Sequence, residues 1–184
     1  MIGFYKAVMI SRSNKICKHY ADLKKIKKLY KSSFPKNERM RFGALLKSAD
    51  SPMVDWAAYY DGEKLVGFTY LAFDEEIAYL FYFAVDDTLR SKGYGGEILT
   101  HLKQKYSDKT IVLDMEACGD VAANREQRIR RKAFYVRSGF IGAGFDSVYR
   151  GVHYESMVFG GECGKQRLMQ LFKKYRREAL GKRK

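Results

Sequence analysis

Cysteine, histidine and proline are all scarce in this chain. Its three cysteines, Cys17, Cys118 and Cys163, are odd in number, far apart and without a CxxC spacing, and its three histidines do not cluster. That pattern excludes a disulfide framework and argues against a zinc site, so no metal is expected and the thiols read as ordinary buried or surface side chains. Long apolar runs are missing too. The opening stretch "MIGFYKAVMISRS" holds about ten apolar positions, short of the roughly 20 that a membrane-spanning helix needs. It also has no small-residue cleavage site, so a soluble, cytoplasmic protein without a membrane partner is expected. Repeats and low-complexity linkers are absent, which leaves no domain boundary to place. At 184 residues, 46% hydrophobic and 15% aromatic, the chain can bury one sizeable core.

Acidic charge is the other shortage. Against 35 lysines and arginines stand 21 acids, giving a formal net charge of +14. The excess is local. Residues 165–184 carry nine cations and one acid, and residues 12–31 carry eight cations and Asp22. Together these two segments account for the whole imbalance, leaving a near-neutral body. A basic tail and a basic helix face serve solubility or weak association more often than base reading, so no specific nucleic-acid partner is expected.

The hydrophobic pattern divides the chain into elements. "GFYKAVMIS" reads as a first strand. Ile16, Tyr20, Leu23, Ile26, Tyr30 and Phe34 recur at helical spacing, Pro35 ends that helix, and "KNERMRFGALLKS" predicts a second. "MVDWAAYY" and "KLVGFTYLAF" flank an Asp-Gly turn, a hairpin signal. "IAYLFYFAV", residues 77–85, is apolar throughout, which predicts a strand covered on both faces. Beyond it come "DDTLRSKGYGG", a helix carrying Ile98, Leu99, Leu102 and Tyr106, a fifth strand "TIVLDME", a charged helix stopping at Gly139, and two strands around Arg150-Gly151. Leu168, Leu171, Phe172 and Tyr175 then form a helical stripe that favours a docked helix over a disordered arm. Strands interleaved with helices predict an α/β or α+β mixed sheet.

"RSKGYGG", residues 90–96, is the chemically loaded segment. Glycines let backbone N–H groups approach a ligand, and the first turn of a helix adds unpaired donors and the positive end of its dipole. Phosphate suits such a place, with Arg90 and Lys92 adding charge-assisted contacts. A P-loop fails on the residues, because Lys92 precedes the glycines and Glu97 follows them. A dinucleotide fingerprint fails as well, since Ile98 stands where the third glycine belongs.

A third pattern fits. "AVDDTLRSKGYGGEILTHL" resembles the acetyl-CoA motif of the GNAT N-acetyltransferase superfamily, in which Arg-x-x-Gly-x-Gly follows an apolar strand. "KAFYVRSGF", with Ala133 through Phe140, resembles the family's second block at the expected spacing. The resemblance covers approximately residues 15–160. It implies a single-domain fold: a mixed, mostly antiparallel sheet of six to seven strands, flanked by helices and splayed between the fourth and fifth strands. The GNAT domain would span 1–160, with 161–184 a basic C-terminal helix docked on it or extending from it.

The same resemblance implies acetyl-CoA as co-substrate. Its pantetheine arm would pair with the backbone of Phe83, Ala84 and Val85, and its pyrophosphate would lie on Arg90, Ser91, Lys92, Gly93, Tyr94, Gly95 and Gly96. Tyr135 would protonate the departing thiolate, with Phe134 beside it as the core residue. The family's fourth-strand glutamate is missing, Ala78-Tyr79-Leu80 standing there instead, so Glu116 is the carboxylate left to act as base. Arg130 replaces the usual asparagine, which leaves Asn124, at a helix cap, as a substitute contact to pantetheine. The run "REQRIRRK" reads first as a solvated face. Cys118 reads as a loop thiol, so acetyl transfer to a primary amine by direct attack is expected. The acceptor would be a small molecule or peptide, and a homodimer is compatible with the family. Two rival readings are a non-catalytic acetyl-CoA-binding regulatory domain and a basic RNA- or ribosome-associated module.

Overall fold

The computed structural model describes residues 6–9, 20–118 and 124–181. Among these residues seven strands form one sheet: β1 (Lys6–Met9), β2 (Val54–Asp61), β3 (Lys64–Phe73), β4 (Ile77–Val85), β5 (Thr110–Glu116), β6 (Ile141–Tyr149) and β7 (Val152–Phe159). Their order is β1-β2-β3-β4-β5-β7-β6. Every neighbouring pair is antiparallel except β4 and β5, which run parallel. Five α-helices among the described residues cover the sheet: α1 (Tyr20–Ser33), α2 (Phe42–Ser48), α3 (Tyr94–Lys105), α4 (Arg125–Arg137) and α5 (Lys165–Glu178). Gly62, with φ of 57°, makes the β2–β3 turn, a left-handed conformation that glycine adopts without a Cβ penalty.

The two faces of the sheet carry different helices. Ile26 and Tyr30 of α1, Leu45 of α2 and Leu168, Leu171 and Tyr175 of α5 pack with Trp56, Phe68, Tyr70 and Tyr82 on one side. Leu99 and Leu102 of α3 and Tyr135 of α4 pack with Leu71, Leu80, Leu113 and Met115 on the other. β4 lies between both layers, which is why its sequence shows no alternation.

The helix expected over "KNERMRFGALLKS" forms only in its second half. Only Phe42–Ser48 is helical, and Arg41 enters it in an extended conformation. Tyr82 Oη accepts from Met40 N at 2.9 Å and donates to Glu38 O at 3.2 Å. Tyr30 Oη donates to Met40 O at 3.0 Å. Buried tyrosine hydroxyls on α1 and β4 thus satisfy the backbone that a helix would otherwise have satisfied internally. The expected first strand is described only as Lys6–Met9, and Cys17 and the start of the first predicted helix lie outside the described residues.

α5 packs through the predicted stripe, with Leu168, Leu171 and Tyr175 buried. Its charges are held as well. Arg167 reaches Asp74 at 2.7 Å and Glu76 at 2.5 Å, and Lys174 approaches Glu75 at 3.4 Å. The acids of the β3–β4 turn therefore neutralise part of the basic C-terminal segment.

Candidate active site

β4 and β5 pair over only three positions, Ile77 with Thr110, Ala78 with Ile111 and Tyr79 with Val112. Past that point β4 continues against β3 as far as Val85, while β5 continues against β7 as far as Glu116. The two strands part into a wedge that opens toward their C-terminal ends. A register shift helps to explain the parting. Tyr70 pairs with Tyr82 but Leu71 pairs with Leu80, so Phe81 is an extra residue on β4, and such a bulge bends its strand and raises the local twist.

Alternation decides which backbone groups look into the wedge. Asp86 N donates to Val66 O of β3 at 2.9 Å, and Ala84, two residues back, points its backbone the same way. Phe83 and Val85 then direct their N–H and C=O groups to the side that β5 has left. Of the three backbone partners expected for pantetheine, Ala84 is engaged with β3, whereas Phe83 and Val85 lie along the free edge.

The glycine loop stands at the mouth of this wedge. Ser91 and Gly93 both have positive φ, 63° and 87°. Gly93 is the N-cap of α3 and offers no side-chain cap, and the first bond of the helix runs from Glu97 N to Gly93 O at 3.2 Å. The amides of Gly95 and Gly96 precede that bond and have no partner inside the helix. A Cβ on Gly95 would sit 3.2 Å from the Phe134 ring, whereas one on Gly96 would meet nothing within 4 Å. Gly95 thus permits close packing of α3 on α4, and Gly96 leaves the approach to the amides open. Arg90 pairs with Asp87 on the surface, Lys92 is exposed, and the Tyr94 hydroxyl donates to Asp61 at 2.7 Å.

On the α4 side the two aromatic neighbours exchange the places expected of them. Tyr135 is buried and Phe134 only partly so. Phe134 spreads across Gly95 and toward Phe83, while Tyr135 packs between Phe134 and Phe140. Helical geometry puts adjacent residues about 100° apart, so only one of them can point straight into the core. Burial pushes the Tyr135 phenol up to about 12, with Arg131 opposing the rise.

On the face shared with α1 and α2 the wedge is lined by acids and phenols. Asp114 accepts from Tyr79 Oη at 2.9 Å and from Ser156 Oγ at 2.6 Å, and burial raises its carboxyl. Glu116 is buried at the end of β5, where it accepts from Arg128 at 2.8 Å and lies 3.7 Å from Arg131. Asn124 supplies no side-chain cap to α4 but reaches toward Glu116 at 3.5 Å. The expected solvated face of α4 is therefore divided. Arg128 and Arg131 turn inward to Glu116, Lys132 binds Glu155 at 2.7 Å, and Arg130 pairs with Glu126 in solvent.

Glu38 and Tyr154 join this cluster although neither was singled out by sequence. Burial raises the Tyr154 phenol, and the Glu38 and Glu116 carboxylates add to the rise. Burial and the nearby Glu116 raise Glu38 above the usual carboxylate range, against the lowering effect of Tyr154, Arg131 and Arg128. No local pattern marks a site drawn from a coil, a strand end and a distant hairpin. The other conspicuous acids have local work: Asp86 accepts from Thr88 N at 2.9 Å and Thr88 Oγ1 at 2.6 Å, and Asp87 holds Arg90. Among the described residues no group of histidines, cysteines and acids could hold a metal ion. No described helix is long and apolar enough to cross a membrane.

The sheet thus parts between its two parallel strands, with an uncapped glycine-rich helix start at the mouth of the gap. The acetyltransferase (GNAT) family model matches residues 23–140, and the chain belongs to that family. It is thus an N-acetyltransferase, and acetyl-CoA is the co-substrate of its family. No curated protein sequence matches it significantly. Solved structures do resemble it. A Bacteroides thetaiotaomicron protein assigned to the GNAT family is 24% identical, covers 97% of this chain and 99% of its own, and superposes with a TM-score of 0.73. An aminoglycoside 6'-N-acetyltransferase complexed with coenzyme A has 13% identity, coverage of 84% and 96%, and a TM-score of 0.63. The ribosomal-protein-S18-alanine N-acetyltransferase of Escherichia coli has 16% identity, coverage of 88% and 97%, and a TM-score of 0.60.

Proposed function

We propose that the protein transfers the acetyl group of acetyl-CoA directly to the primary amine of a small molecule or peptide, without a covalent enzyme intermediate. The observation that carries this reading is the free edge of β4, with Phe83 and Val85 facing a gap that ends at the uncapped start of α3. The pantetheine arm adds to that edge as a strand would. The pyrophosphate lies on the amides of Gly95 and Gly96 with residues 90–94 around it. A backbone N–H of the free edge polarises the thioester carbonyl, the role of an oxyanion hole.

Departure of the thiolate is assisted by Tyr135. With its phenol near 12 and a free thiol near ~8.5, complete proton transfer to the thiolate would run uphill by about 5 kcal/mol. Tyr135 therefore acts as a hydrogen-bond donor to the developing charge. Direct attack is favoured because Cys118 has no paired base beside it among the described residues. The fold relatives named above act on an aminoglycoside and on a protein alanine, and both kinds of acceptor present a primary amine.

Thermal shift with acetyl-CoA tests cofactor binding, and free-thiol release with a polyamine, an aminoglycoside and a peptide with a free N-terminus tests transfer. Stabilisation and amine-dependent thiol release are expected. Absence of stabilisation overturns the reading, and stabilisation without thiol release for any amine favours a regulatory acetyl-CoA-binding domain instead.

A further inference from the structure

We propose that Arg131, on the turn of α4 that precedes Tyr135, supplies the positive charge that stabilises the departing thiolate, and that Glu116 is the positioning residue that holds its guanidinium at the wedge. The inference rests on the acetyltransferase reading above. A phenol that keeps its proton can only hydrogen-bond the sulfur, so the charge arriving there still needs a counter-charge.

Helix geometry sets Arg131 over the end of β5. Tyr135 packs there with Leu113 and Met115, while Arg131 reaches Glu116, the last residue of the strand. Residues four apart in a helix are neighbours, with about 5–6 Å between Cβ atoms, and a long side chain leans back over the turn before its own. Tyr135 therefore leans toward Arg131. The lowering pull of that cation on the phenol has the same cause.

A count of charges shows what is spare. Glu116 carries one negative charge and Arg128 and Arg131 one positive charge each, which leaves a surplus of one cation. Arg128 is committed. One of its nitrogens donates to Glu116 Oε1 at 2.8 Å, another donates to Ala117 O at 2.9 Å, and its side chain is largely buried. Arg131 lies 3.7 Å from Glu116 Oε2, too long for a hydrogen bond, with 36% of its side chain exposed. Its donors are thus tethered to the carboxylate by charge without being used up by it. The charged and titratable groups around it are Glu116 of β5, Arg128 and Tyr135 of α4, and Glu38 of the coil before α2. A guanidinium stays charged at every working pH, so Arg131 acts without gaining or losing a proton.

The atoms balance accordingly. The acceptor R–NH3+ loses one proton to water, and the neutral nitrogen attacks the thioester carbon. The C–N bond forms, and the C–S bond breaks with its electron pair leaving on sulfur. That anion meets the guanidinium and the Tyr135 hydroxyl. The proton released by the new amide nitrogen then passes through solvent to the sulfur, and the products are the amide and free coenzyme A.

Coenzyme A itself is the probe. Titration of its bound thiol is followed by the ultraviolet absorption of the thiolate, with desulfo-coenzyme A on the same protein as the blank. Arg131→Gln should leave at least about tenfold less thiolate at neutral pH than the native complex, the low end of what an opposite charge a few Å away does. Arg131→Lys, which keeps the charge, should restore most of it. Glu116→Gln should shift the ionisation the other way, because it removes a counter-charge. If that variant fails to fold because Arg128 loses its partner, the two Arg131 variants decide alone. In the transfer assay Arg131→Gln should lower kcat by at least about tenfold with Kd for acetyl-CoA unchanged. If coenzyme A binds and its thiol titrates alike in the native and Arg131→Gln proteins, the role of Arg131 is overturned while the acetyltransferase reading stands. If the variant instead raises only KM for the amine, Arg131 holds an anionic group of the acceptor and the proposal is equally overturned. Failure of the native protein to bind coenzyme A would overturn both.

Discussion

Tyr135 shows how far a single residue's task can be read from chemistry and where packing alters it. Its place in a Phe-Tyr pair was legible, yet which of the two rings enters the core was not, because helix rotation is set by contacts with β4 and α3. Phe134 instead covers Gly95, a contact that no sequence window contains. A buried phenol near 12 keeps its proton throughout the neutral range. We predict that Tyr135→Phe lowers kcat by about tenfold, the scale of one hydrogen bond to a charged group. KM for acetyl-CoA should scarcely move. An unchanged kcat in a steady-state thiol assay would leave Tyr135 with packing alone. Glu38 marks the opposite case, a half-buried carboxyl without any local signal that is raised by burial and by the charge of Glu116 on a distant strand.

At the scale of elements most of the architecture was legible, because period and turn chemistry agree with tertiary placement in β2 through β5, α3 and α5. Disagreement falls at residues 36–41, where helical pattern yields to tyrosine hydroxyls of α1 and β4 that claim the backbone. The wedge itself was expected only through the family resemblance. No propensity announces that β4 carries an extra residue at Phe81. Two substitutions test the elements that frame it. A Cβ on Gly67 would come within 2.5 Å of Ala84 O, so Gly67→Ala must push β3 from β4 and should cost about 1–3 kcal/mol. Leu171 is fully buried where α5 meets the sheet, and Leu171→Ala should cost about 2–5 kcal/mol. Both are read by urea denaturation, and a loss under half a kcal/mol in either would contradict the packing described.

Across the whole molecule, charge is arranged more economically than its total suggests. Part of the basic C-terminal segment is spent on the acidic β3–β4 turn, which joins the last helix to the centre of the sheet. Burial by itself would raise the Asp74 carboxyl, but Arg167 and the amides of Ile77 and Glu76 outweigh it and hold the pKa below the ordinary value. A depressed carboxyl contributes stability that is present above its unfolded pKa, near ~3.9, and is lost as pH falls through the folded value. Arg167→Ala should therefore lower Tm at neutral pH, and the gap from the native protein should close below about pH 4. A gap that stays constant into that range would separate Asp74 from the effect. The α1 lysines 24, 27, 28 and 31 remain on the surface, whereas the functional account depends on the wedge between β4 and β5. That account is tested most directly by residue-resolved amide hydrogen exchange with and without acetyl-CoA. The Phe83 and Val85 amides should exchange readily in the free protein and become protected when the thioester arm pairs with β4, and equal exchange in both states, with acetyl-CoA bound, would contradict it.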